Sequence, residues 1–213
     1  MTTASRRVTV PFFFAVALVA ASWSLAAGQS PRGAPETARI FEALELKPGS
    51  VVGEIGAGNG ELTIATARLV GTQGKVFTSE LGDERVKGLE KAVQTSGLSQ
   101  ITVLTGNPDK TNFPDACCDA IFMRNVYHHF ADPIAMTRSI AAALKPGGRV
   151  AVVDFMPNRN RPEAARPQDR ANNESHGVSA DSVSRELKEA GLEVVLSQPG
   201  NERWFMVVAA KPR

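Results

Sequence analysis

The sequence has only two cysteines, Cys117 and Cys118, and they are neighbours. No disulfide framework is expected from them, because adjacent residues reach ordinary bridge geometry only under strain. A fold without bridges suits a reducing compartment, although an exported chain can also lack them. Net charge is equally scarce, since 24 basic and 22 acidic residues leave +2. A chain so balanced has no whole-molecule attraction for nucleic acid or anionic lipid, so no nucleic-acid partner is expected and a small molecule becomes the default ligand. Histidine occurs three times, at positions 128, 129 and 176. That spacing matches no recognised ligand set, so no metal is expected. Internal repeats are missing too. Apolar residues at 43% and charged residues at 22% are ordinary globular usage, which excludes disorder, collagen and coiled coil as global descriptions. At 213 residues one domain is expected, with something left over.

The remainder lies at the N-terminus. "MTTASRRVTVPFFFAVALVAASWSLAAGQS" runs from Arg6 and Arg7 through an uncharged, mostly apolar stretch to small residues around Ser24, Ala26 and Gly28. This is the order of a secretory signal peptide. The apolar part, Val8 to Ala27, is also about 20 residues, enough to span a bilayer if never cut. Residues 1–28 are therefore expected to be a signal peptide or an N-terminal membrane anchor. That places the protein outside the cytoplasm or on the periplasmic side of a membrane, with an anchor facing the cytoplasm as the alternative. "SRRVTV" partly resembles a twin-arginine signal, with Thr9 where that pattern has a large apolar residue. The Pro11 break and the lack of a polar face argue against a helix lying on a soluble core. Residues 29–35, "QSPRGAP", form a linker of turn formers.

Residues 36–213 alternate helix and strand patterns. "ETARIFEALEL" has helical spacing, "SVVGEI" is a short apolar strand, and "GELTIATARLV" is a helix closed by Gly71. "KVFTSEL", "ITVLTG", "DAIFMRN" and "RVAVVDF" continue the strands with helices between them. The tail pairs "LEVVLSQ" with "WFMVVAAK" across "PGNER", too short for a crossover helix, so these two must be antiparallel. The fold expected is α/β, a doubly wound, Rossmann-like, seven-stranded sheet, mostly parallel with a C-terminal antiparallel hairpin. Residues 157–177, rich in Pro, Arg and Asn, read as a loop leaving the carboxyl end of strand five.

In such a sheet ligands bind beyond the carboxyl ends of the strands, where strand order reverses. The first strand-to-helix turn, "GEIGAGNGEL", sits there. Gly56, Gly58 and Gly60 allow a sharp turn and a close approach of backbone to ligand. A dinucleotide fingerprint would need glycine at position 61, where the chain has Glu61. A carboxylate at the helix start also suits a pyrophosphate poorly. Glu54 and Glu61 around a bare glycine turn suit a cationic ligand better, and S-adenosylmethionine, with its ammonium and sulfonium, is such a ligand.

From residue 36 to 211 the sequence resembles the class I S-adenosylmethionine-dependent methyltransferases. "EIGAGNG" is similar to that family's first motif, and Glu80, ending "KVFTSE", stands where the family binds the ribose hydroxyls. "LTGNPD" resembles the adenine-side motif, with Asn107 in place of the usual aspartate and Asp109 as the second candidate. "DAIFMRNVYHHF" resembles the strand-four motif facing the methyl group, and "LKPGGRVAVVDF" the segment that ends in strand five. The resemblance implies S-adenosylmethionine as cofactor, bound by Glu54, Gly56, Ala57, Gly58, Gly60, Glu80, Leu81, Asn107, Asp109 and Asn125. "NVYHHF", "DP" and "LKPGG" point within the family to small-molecule enzymes of the quinone-biosynthesis kind. Isoaspartyl protein methyltransferases share an opening of this type, but their later substrate motifs have no counterpart.

Methyl transfer from a sulfonium is an in-line displacement, for which the protein mainly aligns acceptor and methyl. Tyr127, His128, His129 and His176 are the catalytic candidates. The histidines are near-neutral bases, and His128 is the residue expected to touch the acceptor. The competing reading is an exported protein that binds the cofactor without transferring the methyl.

Overall fold

The computed structural model describes Met1 and residues 36–158, 160, 162–172, 177–200 and 203–213. The segments expected to form a signal or anchor and a linker, residues 2–35, lie outside the described residues, as does His176. Seven strands form one sheet in the order β3-β2-β1-β4-β5-β7-β6. They are β1 (Val51–Ile55), β2 (Lys75–Glu80), β3 (Ile101–Thr105), β4 (Cys118–Arg124), β5 (Leu144–Phe155), β6 (Glu193–Pro199) and β7 (Trp204–Ala210). The first five are mutually parallel, and β7 runs antiparallel to both β5 and β6, as the short "PGNER" connection requires. Strand order reverses between β1 and β4, so a crevice must open there above the strand ends.

The sheet is double-faced because its central strands alternate apolar side chains to both sides. In β4, Ile121 and Met123 join one core with Met136, Ile140, Val183 and Leu187, while Ala120 and Phe122 join the other with Ile40, Leu62, Ala67 and Val70. Helices α4 (Pro133–Ala143) and α6 (Ala180–Glu189) cover the first face. Helices α1 (Glu36–Ala43), α2 (Glu61–Val70) and α3 (Asp83–Ser96) cover the second. Two of these helices start on side-chain caps: Asp132 accepts from Ala135 N–H and Ser179 from Ser182 N–H.

Two local features depart from the sequence reading. The loop after β5 contains a short helix, α5 (Pro167–Ala171), whose proline stands at the first turn and whose Arg166 pairs with Asp169. Its Arg170 is drawn into the protein by Glu163 and Glu186, 7 and 16 residues away in the chain. The second is a correction: Cys117 and Cys118 are joined in a disulfide between chain neighbours at the start of β4. A bridge across one peptide bond closes almost no loop, so it stabilises little through chain entropy. Among the described residues no helix is long and apolar enough to cross a membrane.

Candidate functional site

A cleft of about 590 Å³ opens at the carboxyl ends of β1, β2 and β4, within the size range of small-molecule sites. Its floor is the turn after β1. Gly56 and Gly58 have φ of +72° and +55°, a region that L side chains rarely adopt. A Cβ on Gly56 would overlap the Val126 side chain, so this glycine lets the β1 turn pack against the segment after β4. A Cβ on Gly58 would meet nothing within 4 Å, which leaves its backbone open to an approaching ligand. Gly60 does not border the cleft, because it caps α2 at φ +80° and lies against Leu89 of α3. The third glycine thus serves helix packing.

Glu80 is fixed at the end of β2. One carboxylate oxygen accepts the Gly58 N–H at 2.7 Å and the other accepts the Leu81 N–H at 2.8 Å. At 8% exposure it is nearly buried, yet it borders the cleft. Each carboxylate oxygen has two lone pairs, so acceptor capacity remains for a diol. Glu54, one strand inward, is 3% exposed and takes the Thr63 hydroxyl. Burial pushes its carboxyl up to about 8, against the pull of the Thr63 hydrogen bond and Arg124. Ala57 and Leu81 also line the cleft, as does Asn107, half-buried, whose side-chain oxygen accepts the Asp109 N–H at 3.2 Å. Asp109 itself is exposed and lies off the cleft lining. Asn125 lines the opposite wall at φ +60°, with its N–H bonded to Val153 O at 2.9 Å.

These residues fit S-adenosylmethionine. A fixed carboxylate with spare lone pairs faces the cleft beside a glycine that leaves room, and a buried acid suits a cationic group. Residues 53–152 match the family model described as a methyltransferase domain. Over that stretch, a little under half of the chain, the sequence is similar to methyltransferase domains.

Curated relatives of this domain include the ubiquinone/menaquinone biosynthesis C-methyltransferases of Marinomonas sp. (30% identical over 111 residues, 52% of this chain and 44% of that protein) and Cronobacter sakazakii (32%, 52% and 44%). The chain spans less than half the length of these two relatives. Among solved structures, a SAM-dependent methyltransferase from Aquifex aeolicus superposes with a TM-score of 0.70 at 24% identity, covering 82% of this chain and 89% of that one. Phosphoethanolamine N-methyltransferase 2 of Haemonchus contortus, in complex with S-adenosylmethionine, gives 0.68 at 14%, with 83% and 52% covered. At these identities the two structures establish the shared fold alone.

The structure separates the neighbours after β4. Tyr127 to His129 form one 3₁₀ turn. Tyr127 is fully buried and donates its hydroxyl to Glu186 at 2.8 Å. Burial, reinforced by Glu186, holds its phenol well above the usual range, so it is no base near neutral pH. His128 is 3% exposed; its Nδ1 lies 2.8 Å from Asp154 Oδ1 and its backbone N–H donates to Oδ2 at 3.1 Å. Asp154 also accepts the Phe155 N–H, and a carboxylate so placed makes His128 Nδ1 the protonated nitrogen. His129 borders the cleft, its ring centroid 4.0 Å from that of His128, together with Val126, Phe130 and Met136.

Sequence reasoning missed several contributors. Arg124 reaches the cleft from the end of β4 and pairs with Glu36 at 3.0 Å. Arg85 stands 3.7 Å from Glu80. Arg170 of α5, whose side chain is 2% exposed, binds Glu163 at 2.9 Å and Glu186 at 3.3 Å, placing Ala171 on the cleft edge. The only signal for Arg85 was its position one turn beyond an acidic strand end. For Arg170 and Glu186 there was none. Among the described residues no cluster could hold a metal ion.

Proposed function

We propose that the protein binds S-adenosylmethionine in this cleft and transfers its methyl group to a small-molecule acceptor approaching from the β4 side. The observation that carries the reading is the Gly58–Glu80 pair, a bare backbone turn tied at 2.7 Å to a carboxylate on the cleft edge. When bound, the cofactor supplies a methyl on a sulfonium, whose S–C bond breaks as the acceptor bond forms, leaving a neutral thioether. Glu80 holds the ribose hydroxyls, Leu81 and Asn107 flank the adenine, and Asn125 closes the wall opposite. Val126, Phe130 and Met136 make an apolar wall that aligns the acceptor and excludes water. The acceptor-side role falls to His129 rather than His128, because His129 borders the cleft while His128 is buried against Asp154. An acceptor that loses a proton can give it to His129.

The curated relatives are named for C-methylation in ubiquinone and menaquinone biosynthesis. Together with the apolar wall, this supports an aromatic ring carbon of a quinol-type acceptor. Incubation with methyl-labelled S-adenosylmethionine and demethylated quinol acceptors should move label to the ring. Tight cofactor binding without turnover over a broad acceptor panel would support a binding protein instead. We further propose, from the sequence pattern alone, that residues 1–28 direct export or anchor the domain to a membrane. Cell fractionation with mass spectrometry of the mature N-terminus tests this, and a soluble cytoplasmic chain that begins at Met1 would overturn it.

A further inference from the structure

Glu186 of α6 gathers pieces of the acceptor side that are distant in the chain. Its Oε2 accepts the Tyr127 hydroxyl at 2.8 Å and an Arg170 N–H at 3.3 Å, and its Oε1 accepts a second Arg170 N–H at 3.3 Å. Glu163, in the loop after β5, takes the same guanidinium at 2.9 Å and also accepts the N–H of Ser179, the cap of α6, at 3.0 Å. The guanidinium carbon of Arg170 lies 5.9 Å from the Tyr127 ring centroid. Arg170, Glu186 and Tyr127 are all buried. Arg170 Nε nevertheless has no hydrogen-bond partner among the described residues.

An arginine shared by two carboxylates, with one N–H unserved, is a costly way to fill a core, since apolar side chains of similar volume often hold a fold as well or better. What the cluster adds is geometry, because a planar fork accepts few orientations. On one side it holds α5, whose Ala171 borders the cleft with Val126 and Met136. On the other it holds Tyr127, the first residue of the 3₁₀ turn. Within that turn His129 N–H donates to Val126 O at 2.9 Å and Phe130 N–H to Tyr127 O at 3.0 Å, and the Tyr127 and Phe130 rings lie 5.1 Å apart. Fixing the phenol therefore fixes His129 and Phe130, both of which border the cleft. We propose that Arg170 is a positioning residue for the methyl acceptor: through Glu186 it ties α5 to the 3₁₀ turn, and so sets where Ala171, His129 and Phe130 stand. Arg170 itself does not line the cleft. This rests on the reading of the β4 side as the acceptor's place.

Amide hydrogen exchange on the full chain tests the tie. Arg170→Met removes the charge and keeps most of the volume. Exchange at His129 and Phe130 should then speed up roughly tenfold or more, together with that of α5, while the Gly58 and Leu81 amides, bonded to Glu80 on the other wall, keep their rates. Arg170→Lys keeps the charge without the fork; it should lie between the wild type and Arg170→Met, and it carries the test if the methionine variant does not fold. Kinetics with methyl-labelled S-adenosylmethionine and a demethylated quinol give the functional readout. Arg170→Met should raise the KM for the quinol by roughly tenfold to a hundredfold with the KM for the cofactor unchanged. Ala171→Leu, which alters only the cleft edge, should raise the quinol KM with normal exchange in the turn. Faster exchange confined to α5, an equal rise at both walls, or a cofactor KM that moves as far as the quinol KM overturns the proposal. A wild-type chain that binds the cofactor and methylates no quinol overturns the quinol reading instead, and the exchange comparison then decides the tie by itself.

Discussion

The two sides of the cleft are built differently. Toward β1 and β2 the wall is made of backbone: a glycine turn, and a strand-end carboxylate held by the backbone N–H groups of Gly58 and Leu81. Toward β4 and β5 it is made of side chains that meet across the fold. Tyr127 reaches Glu186 over 59 residues, His128 reaches Asp154 over 26, and Arg170 joins the group from α5. The first side can recognise a constant ligand, because backbone geometry tolerates little variation. The second can be retuned residue by residue, which suits a site whose acceptor differs between relatives of one fold.

Substitutions should fall on one side of this division. His129→Ala should lower turnover by roughly tenfold to ten-thousandfold with cofactor affinity unchanged. His128→Ala should mainly cost stability, by about 1–3 kcal/mol, because Asp154 is left buried without its partner. Equal turnover losses without destabilisation in the two variants would undo the assignment. Arg170→Ala removes the cation between two carboxylates and should destabilise the fold by about 3–5 kcal/mol, read by denaturant titration. A normal melting curve would show that α5 is not held by this pair.

Gly58→Val places a branched side chain at φ +55° in the open part of the turn. Strain alone is of order 1–3 kcal/mol, and the side chain adds a steric block, so cofactor affinity should drop by roughly a hundredfold or more while the rest of the fold persists. Normal affinity by calorimetry would move the ligand off this turn. Tyr127→Phe should cost about 1 kcal/mol, the net worth of one hydrogen bond, and leave cofactor affinity alone. A further expectation concerns pH in the ligand-free protein. Between about 4.5 and 8 the folded state holds a proton on Glu54 that the unfolded chain has released, so stability falls as pH rises through this window. Melting temperature should fall by on the order of ten degrees from pH 5 to 8, and Glu54→Gln should flatten that slope.

How much of the site was legible follows the same line. Gly56, Gly58 and Glu80 declared themselves because a strand-to-helix turn and a strand end have local signatures, and the structure brings them together at one cleft. Gly60 carried the same signature yet lies against Leu89. The histidine pair was visible as a pair, but which ring faces the cleft was not. In a 3₁₀ turn successive side chains diverge by about a third of a turn, and packing against Phe155 and Asp154 selects the one that goes inward. Arg170, in a stretch read as a loop, became a buried residue only because Glu163 and Glu186 converge on it.

By itself the sequence determined the order of strands and helices, the closing antiparallel hairpin and the place of the glycine turn. These depend on periodicity, on turn residues and on the length of connections, all of which act over a few residues. Only the tertiary structure decided that His129 rather than His128 borders the cleft, that the third glycine packs a helix, and that an arginine from an irregular loop is sealed beneath the acceptor wall. Each of these outcomes is a competition between partners for burial and for charge, and the partners lie beyond the reach of local pattern, 7 and 16 residues away for Arg170 and 26 for His128.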